Sequence, residues 1–469
     1  MNAISEFISF SNNILWSYIL IFLLISLGLF FTLKTRFVQF RYLKEMFKLL
    51  GSSISSETEG ISSFQAFCIS TASRVGTGNL AGVALAISLG GPGSIFWMWL
   101  IALIGGASSF IESTLAQVFK VKDKDGYRGG PAYYMKIGLN KPWMGIIFSI
   151  LITICFGLVF NSVQSNTVSL AFQEAFGVNT KLTGIFLTII TAAVIFGGVK
   201  RIAKVSEFIV PIMALAYIFV SLFVVVKNIS LVPNIFSLII KNAFGIKEIA
   251  GGTVGAALRM GIKRGLFSNE AGMGSAPNAA ATAEVEHPVH QGLIQTLGVF
   301  TDTILICSCT AFIILISGAY TDKSLTGIQL TQIALSSEVG SWAKTFIAVC
   351  IFMFAYSSIL GNYYYGESNI EFISENKLML TIYRIFVIGM VLLGSLVQIQ
   401  IVWDMADLFM GLMAILNLIA IILLSKIAFD VLKDYEIQKS NKTPLNFNPK
   451  KINSLKGINL PYWSNKKQE

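Results

Sequence analysis

Long apolar runs separated by short basic or glycine-rich stretches dominate this 469-residue chain. The runs lie near 14–33, 62–90, 93–119, 144–172, 182–199, 206–227, 249–283, 289–318, 342–366, 378–398 and 402–426. At roughly 1.5 Å per residue, about 20 helical residues cross a hydrocarbon core of about 30 Å. The pattern predicts an all-α polytopic membrane protein with about eleven transmembrane helices. Stretches at 229–245 and 322–340 are too short or too polar to span and are expected on one surface. The first run follows no basic residue and precedes no small-residue cleavage pattern, so it reads as a retained helix and not a signal peptide.

Composition strengthens this reading. Hydrophobic residues make up 54% of the chain and charged residues 13%, about half the usual share in a soluble domain. The net charge of +10 does not point to nucleic acid, because the lysines and arginines fall in short clusters between apolar runs. Alternate loops and the tail from Lys426 hold 25 basic residues on one side. The other side has 9, and Arg74 lies within a span. The positive-inside rule then places the N-terminus outside and the C-terminus in the cytoplasm of a multi-pass inner-membrane protein. The tail, 427–469, has no apolar period and is expected to be a flexible cytoplasmic extension.

Two spans contain residues that make poor membrane helices. Gly76-Thr77-Gly78-Asn79 interrupts the second run, and Gly272-Met273-Gly274-Ser275 interrupts the seventh. Each glycine weakens a helix by roughly 0.8–1.0 kcal/mol relative to alanine, and irregular backbone at membrane depth is tolerated only where it is buried or lines a cavity. One such segment alone reads as close helix packing. Two of them, 196 residues apart and each in the first helix of a set of five, indicate an inverted repeat with broken helices at its centre. The expected organisation is an extra helix and basic loop (1–61), a first five-helix repeat (62–227), an outer connector (228–248), a second repeat (249–426) and the tail (427–469). A broken helix frees N–H groups at one end and C=O groups at the other, which together suit a zwitterionic amino acid.

Arg74, Glu112, Glu270 and Glu367 also fall within spans, where a lipid-facing charge would cost roughly 2.5–3.5 kcal/mol. They are therefore expected to face the interior. Arg74 precedes one break and Glu270 the other, so an ion pair between Arg74 and one of the glutamates is expected, as a cytoplasmic gate or as a permanent structural pair. Glu270 is also a candidate proton carrier. The five cysteines all lie in apolar runs and form no disulfide framework. His287 and His290 flank Pro288 in what reads as an ordinary loop, with too few ligands nearby for a metal site. Gly129-Gly130-Pro131 reads as a turn, since no phosphate-loop lysine follows.

The segments "ASRVGTGNLAGVALAI", "GYRGGPAYYM", "GLVFNSVQSN", "GLFSNEAGMGSAPNAAATA" and "YSSILGNYYYGE" resemble signature segments of the alanine or glycine:cation symporter family, in one order over about residues 14–430. That resemblance implies a sodium-coupled amino-acid carrier of the LeuT-like inverted-repeat fold. It implies substrate contacts from Gly76, Thr77, Gly78, Asn79, Asn161, Gln164, Gly272, Met273 and Gly274. It also implies a sodium site from the carbonyls of Ala72 and Val75 and the hydroxyls of Ser357 and Ser358. For Ser357 and Ser358, bonding back to their own helix is the competing structural reading. Asn362 departs from the pattern, since several alanine-selective relatives have tryptophan there. If the position lines the pocket, a larger polar substrate such as glutamine is favoured; if it faces the vestibule, it says nothing of substrate.

The expectation is therefore a transporter and not an enzyme: no catalytic constellation is present. It is expected to move a small neutral amino acid inward with sodium as coupling ion, within the lipid bilayer and without a cofactor. A proton-coupled carrier and a transporter-like sensor are the rival readings.

Overall fold

The computed structural model describes residues 2–54, 61–123, 126–245, 254–397 and 399–465. The start of the seventh run (249–253) and the end of the outer connector (246–248) lie outside them. The chain is an all-α membrane protein whose only described strands form a small hairpin. In chain order the principal elements are α1 (Ser5–Lys34), α2 (Ser63–Arg74), α3 (Gly78–Gly90), α4 (Ser94–Val118), β1 (Val121–Asp123) and β2 (Gly126–Arg128). They continue with α5 (Pro142–Phe176), α6 (Thr180–Ile195), α7 (Gly198–Lys227), α8 (Val254–Asn269) and α9 (Ala276–Ala280). The last are α10 (Val289–Ser317), α11 (Trp342–Ile373), α12 (Lys377–Gly394) and α13 (Ile399–Ser440).

Among the described residues, eight helices are long and apolar enough to cross a membrane: α1, α4, α5, α7, α10, α11, α12 and most of α13. The apolar runs at 62–90, 182–199 and 249–283 are carried instead by broken or shorter helices. Side chains sort as a lipid-embedded bundle requires. Phe208, Leu215, Phe219 and Phe223 of α7 and Leu378, Ile385 and Phe386 of α12 point outward. The centre holds an unusual density of buried Ser, Thr, Asn, Gln and acidic residues. Low-dielectric surroundings make an unpaired polar group costly, so the hydrogen bonds these groups do make help specify how the helices meet.

Three expectations change. Over its described residues, 427–465, the C-terminal segment is not a free extension: α13 continues to Ser440, and Phe447, Ile452, Leu455, Leu460 and Trp463 are buried against the bundle. Aromatic and branched residues spaced irregularly bury on a ready-made surface without any helical period. Lys263 and Arg264, tallied with the outer side in the charge count although they lie in the 249–283 run, turn inward from α8. Both pair with Asp407 of α13, at 2.5 Å and 2.7 Å, and Arg264 also stacks on Trp403. His287 is not in an open loop. It is fully buried beside Asp434 Oδ2 (3.2 Å), and burial holds its imidazole below the ordinary value against the raising pull of that carboxylate.

Candidate functional site

The first break follows directly from local sequence. A capping box, Ser62 with Gln65, starts α2, and α2 stops at Arg74 because Val75 turns away from helical geometry (φ −81°, ψ 88°). The amides freed there are taken up by side chains: Gly76 N donates to Asn79 Oδ1 (2.9 Å) and Thr77 N to Gln164 Oε1 (3.1 Å). α3 then begins at Gly78, which packs so tightly on α8 that an added Cβ would lie 3.0 Å from the Phe267 ring. The two broken segments therefore touch at the centre of the bundle.

The second break is wider. Glu270 is left-handed (φ +57°), as are Gly272 (φ +81°) and Gly274 (φ +88°), so the backbone between α8 and α9 is non-helical over several residues. The glycines adopt this conformation without steric cost; Glu270 does not. Its carboxylate is held by Ser73 (2.9 Å) and Ser275 (2.5 Å), which ties the end of α8 to the end of α2. Met273 is buried, and its amide bonds to Glu270 O (3.1 Å).

Glu112 of α4 organises this break. Its two carboxylate oxygens accept from Gly272 N (3.0 Å) and Gly274 N (3.1 Å), and Asn417 Nδ2 donates to both Glu112 Oε2 (2.8 Å) and Gly272 O (2.9 Å). Tyr134 closes the network on Asn417. The amides that the sequence pattern reserves for a substrate carboxylate are thus occupied by a carboxylate of the protein. The first break is likewise closed by Asn79 and Gln164.

Arg74 meets neither glutamate. Its guanidinium donates to Gln295 O (3.1 Å) and lies 3.5 Å from Ser109 Oγ, packed over Gly298, and among the described residues it makes no ion pair. Glu367 pairs with Arg384 of α12 (2.9 Å) and accepts from Tyr363 (2.6 Å). The expected Arg74 pair is therefore replaced by backbone and hydroxyl acceptors, which place the cation near Glu112 and Glu270 without touching either.

Ser358 and Ser357 part company. Ser358 Oγ lies within reach of three carbonyl oxygens, Ala72 O (2.8 Å), Phe354 O (2.9 Å) and Val75 O (3.4 Å). A hydroxyl proton serves one of these at a time. Ser357 turns to Phe354 O (2.9 Å) and the Met213 sulfur on α7, the back-bonded arrangement. Asn362 joins the network beside them: its Oδ1 lies 2.7 Å from Ser73 Oγ, whose single proton serves it or Glu270 in turn, and its Nδ2 donates to Asn161 Oδ1 (3.2 Å). Gln164 and Asn161 of α5 thus meet the first break and α11 respectively.

Asp302 escaped the sequence pattern, as did Ser73, Tyr134 and Asn417. Asp302 lies in a π-helical stretch of α10, Phe300–Cys307, and is fully buried. Asn79 (2.7 Å), Ser268 (2.7 Å) and Thr303 (2.8 Å) donate to its carboxylate, so it bridges the residues flanking both breaks. A lone acid in "VFTDTILIC" was the available signal. π-helical turns are enriched at functional sites because they re-aim one side chain.

Broken helices facing one another inside a polytopic bundle, with buried carboxylates and convergent carbonyls, define a membrane transporter centre. The sequence profile of the sodium:alanine symporter family matches residues 1–449, and the chain belongs to that family. It is a transporter of amino acids and not an enzyme. It is 58% identical to a Bacillus subtilis (strain 168) protein described as a probable sodium/glutamine symporter, GlnT, over 94% of this chain and 93% of that one. It is 56% identical to the amino-acid carrier protein AlsT of the same organism, over 99% of each. It is also 37% identical to a sodium/proton-dependent alanine carrier protein of Bacillus sp. (strain PS3), over 90% of this chain and 97% of that protein.

Proposed function

We propose that the protein carries a small neutral amino acid into the cell together with sodium, by alternating access between two inverted five-helix repeats, 62–227 and 249–426. The observation that carries the sodium assignment is the convergence of Ala72 O, Val75 O, Phe354 O and Ser358 Oγ on one point. Sodium is a hard cation suited to neutral oxygen ligands; Ser357 already serves Phe354 O, while Ala72 O and Val75 O share the single Ser358 proton. Because the ligands come from α2 and α11, sodium binding would favour the arrangement in which those helices touch. A ligand shifts a conformational equilibrium only by such differential affinity. The amino acid would lie beside this point, between the breaks at Gly76–Asn79 and Gly272–Gly274, near Asn161, Gln164 and Asn362. The basic face, with the hairpin and the C-terminus, would be cytoplasmic and the N-terminus outside. Glutamine is favoured alongside alanine, because one relative is described as a glutamine symporter and Asn362 brings an amide to the site.

The test is uptake of labelled alanine and glutamine into proteoliposomes under an inward sodium gradient, with potassium replacing sodium as control. Sodium-dependent accumulation is expected. Accumulation that ignores sodium and follows a proton gradient would move coupling to the buried carboxylates Glu112, Glu270 and Asp302, a reading favoured by their lack of any ion pair among the described residues. Saturable binding without uptake would indicate a sensor. Ser358→Ala is expected to raise the sodium concentration for half-maximal uptake about tenfold, equivalent to about 1.4 kcal/mol, with protein abundance unchanged. A parental sodium dependence would remove Ser358 from the site.

A further inference from the structure

The most unexpected packing lies on the face that carries the β1–β2 hairpin. Gln117 and Lys120, at the end of α4, hold the segment that follows α9. Gln117 Nε2 donates to Ala280 O (2.5 Å) and Ala283 O (2.9 Å), and Lys120 Nζ donates to Ala283 O (2.8 Å). Ala283 also bridges to Ile61, just before α2, and Glu284 N donates to Ile61 O (3.1 Å). The ends of both broken spans are thus knotted together on one face.

The C-terminal segment covers this knot. Phe447 N donates to Glu286 O (3.2 Å), and Trp463 Nε1 donates to Gln117 O (3.0 Å). Trp463 packs edge-on to Phe447 and to Tyr462, with centroids 4.8 Å and 4.7 Å apart. The buried Lys120 ammonium sits over the rings of Tyr127 (4.4 Å), Tyr462 (4.3 Å) and Trp463 (5.5 Å), an aromatic cage supplied by the hairpin and the tail. The family match ends at residue 449, so the residues that complete the cage lie beyond the segment that defines the family.

We propose that residues 447–463 are a clasp that holds this face of the carrier shut. The clasp pins Lys120 and Gln117 onto 280–283, so α9 cannot swing from α4, nor Ile61 from Ala283, until the tail lifts. Opening toward this face then requires two packed arrangements of the same elements, clasped and released, as hinge and shear closures do. The gating role rests on the alternating-access reading above; the mechanical coupling of tail and knot does not.

The experiment places a cysteine at Ile61 (Ile61→Cys), a buried position in the knot, in the full chain, where the native cysteines are all buried. Labelling by a membrane-impermeant maleimide reads opening of the face. Adding Trp463→Ala, or ending the chain at Asn448, is expected to speed labelling roughly tenfold, the shift that losing one buried hydrogen bond and one cation–π contact produces. Labelling at the parental rate in both would overturn the clasp. A variant that misfolds is bypassed by hydrogen exchange on the unaltered protein. Segments 280–287 and 447–463 are expected to open with one common protection; a tail that exchanges freely while 280–287 stays protected would overturn the proposal. Neither readout needs substrate or sodium, so a failure of uptake would sink the transport reading and leave this one standing on its own result.

Discussion

Glu112→Ala is expected to abolish uptake and to destabilise the protein by about 3–6 kcal/mol. The substitution strands three buried donors at once, Gly272 N, Gly274 N and Asn417 Nδ2. Each unsatisfied buried group costs about 1–3 kcal/mol. The backbone between α8 and α9 has no helical bonds of its own to fall back on, so its left-handed turns at Gly272 and Gly274 lose what over-determines them. Glu112→Gln retains one acceptor but sets an NH2 group against a backbone N–H, so a smaller loss is expected, ordered between parent and alanine. Thermal unfolding in detergent, read beside uptake per milligram of protein, checks both variants. Parental melting and uptake in the alanine variant would show that Glu112 does not organise the break.

Gly76→Ala is expected to remove sodium-driven uptake by a different route, with the fold largely intact. Gly76 lies outside the left-handed region, so alanine brings no left-handed strain. Its Cβ, however, would lie 2.3 Å from Ser358 Oγ and 3.0 Å from Gln164 Oε1. The serine has to rotate, and rotation takes it from the Ala72 and Val75 carbonyls. A rise of ten- to a hundredfold in the sodium needed for half-maximal uptake corresponds to about 1.4–2.7 kcal/mol. The double variant Gly76→Ala/Ser358→Ala removes the clash but not the loss of the hydroxyl. It is therefore expected to recover stability without recovering sodium dependence. If sodium dependence returned in the double variant, the hydroxyl would be excluded as a ligand and the steric account would stand alone.

The two effects separate the functions of the broken segments. Around Gly272 and Gly274 the freed backbone amides are committed to the protein's own carboxylate. Around Ala72, Val75 and Ser358 carbonyl oxygens gather about one hydroxyl, which is the place proposed above for the cation. Asp302 connects the two through Asn79 and Ser268. Both broken segments therefore share one buried carboxylate.

Much of this was legible in the chain itself. Run length and low charge determined an all-helical membrane protein, because a bilayer tolerates no unsatisfied backbone and sets the length of a spanning helix. Glycine pairs at 76–78 and 272–274 marked both breaks, because glycine inside an apolar run weakens a helix for no gain in packing. Tertiary structure alone decided which groups meet. Arg74 was expected to pair with a glutamate and instead bonds Gln295 and Ser109. Glu112 was one charge among four and proves to hold the second break. Lys263 and Arg264 lay within the 249–283 run with no partner in view, and they share Asp407 across α8 and α13. A tail without apolar period folds over Lys120 because Phe447, Tyr462 and Trp463 find a surface already made. Periodicity and composition are properties of one helix against a uniform solvent, and they report how each segment meets lipid. The partners of a buried polar group come from residues hundreds of positions away, and only the assembled bundle brings them within 3 Å.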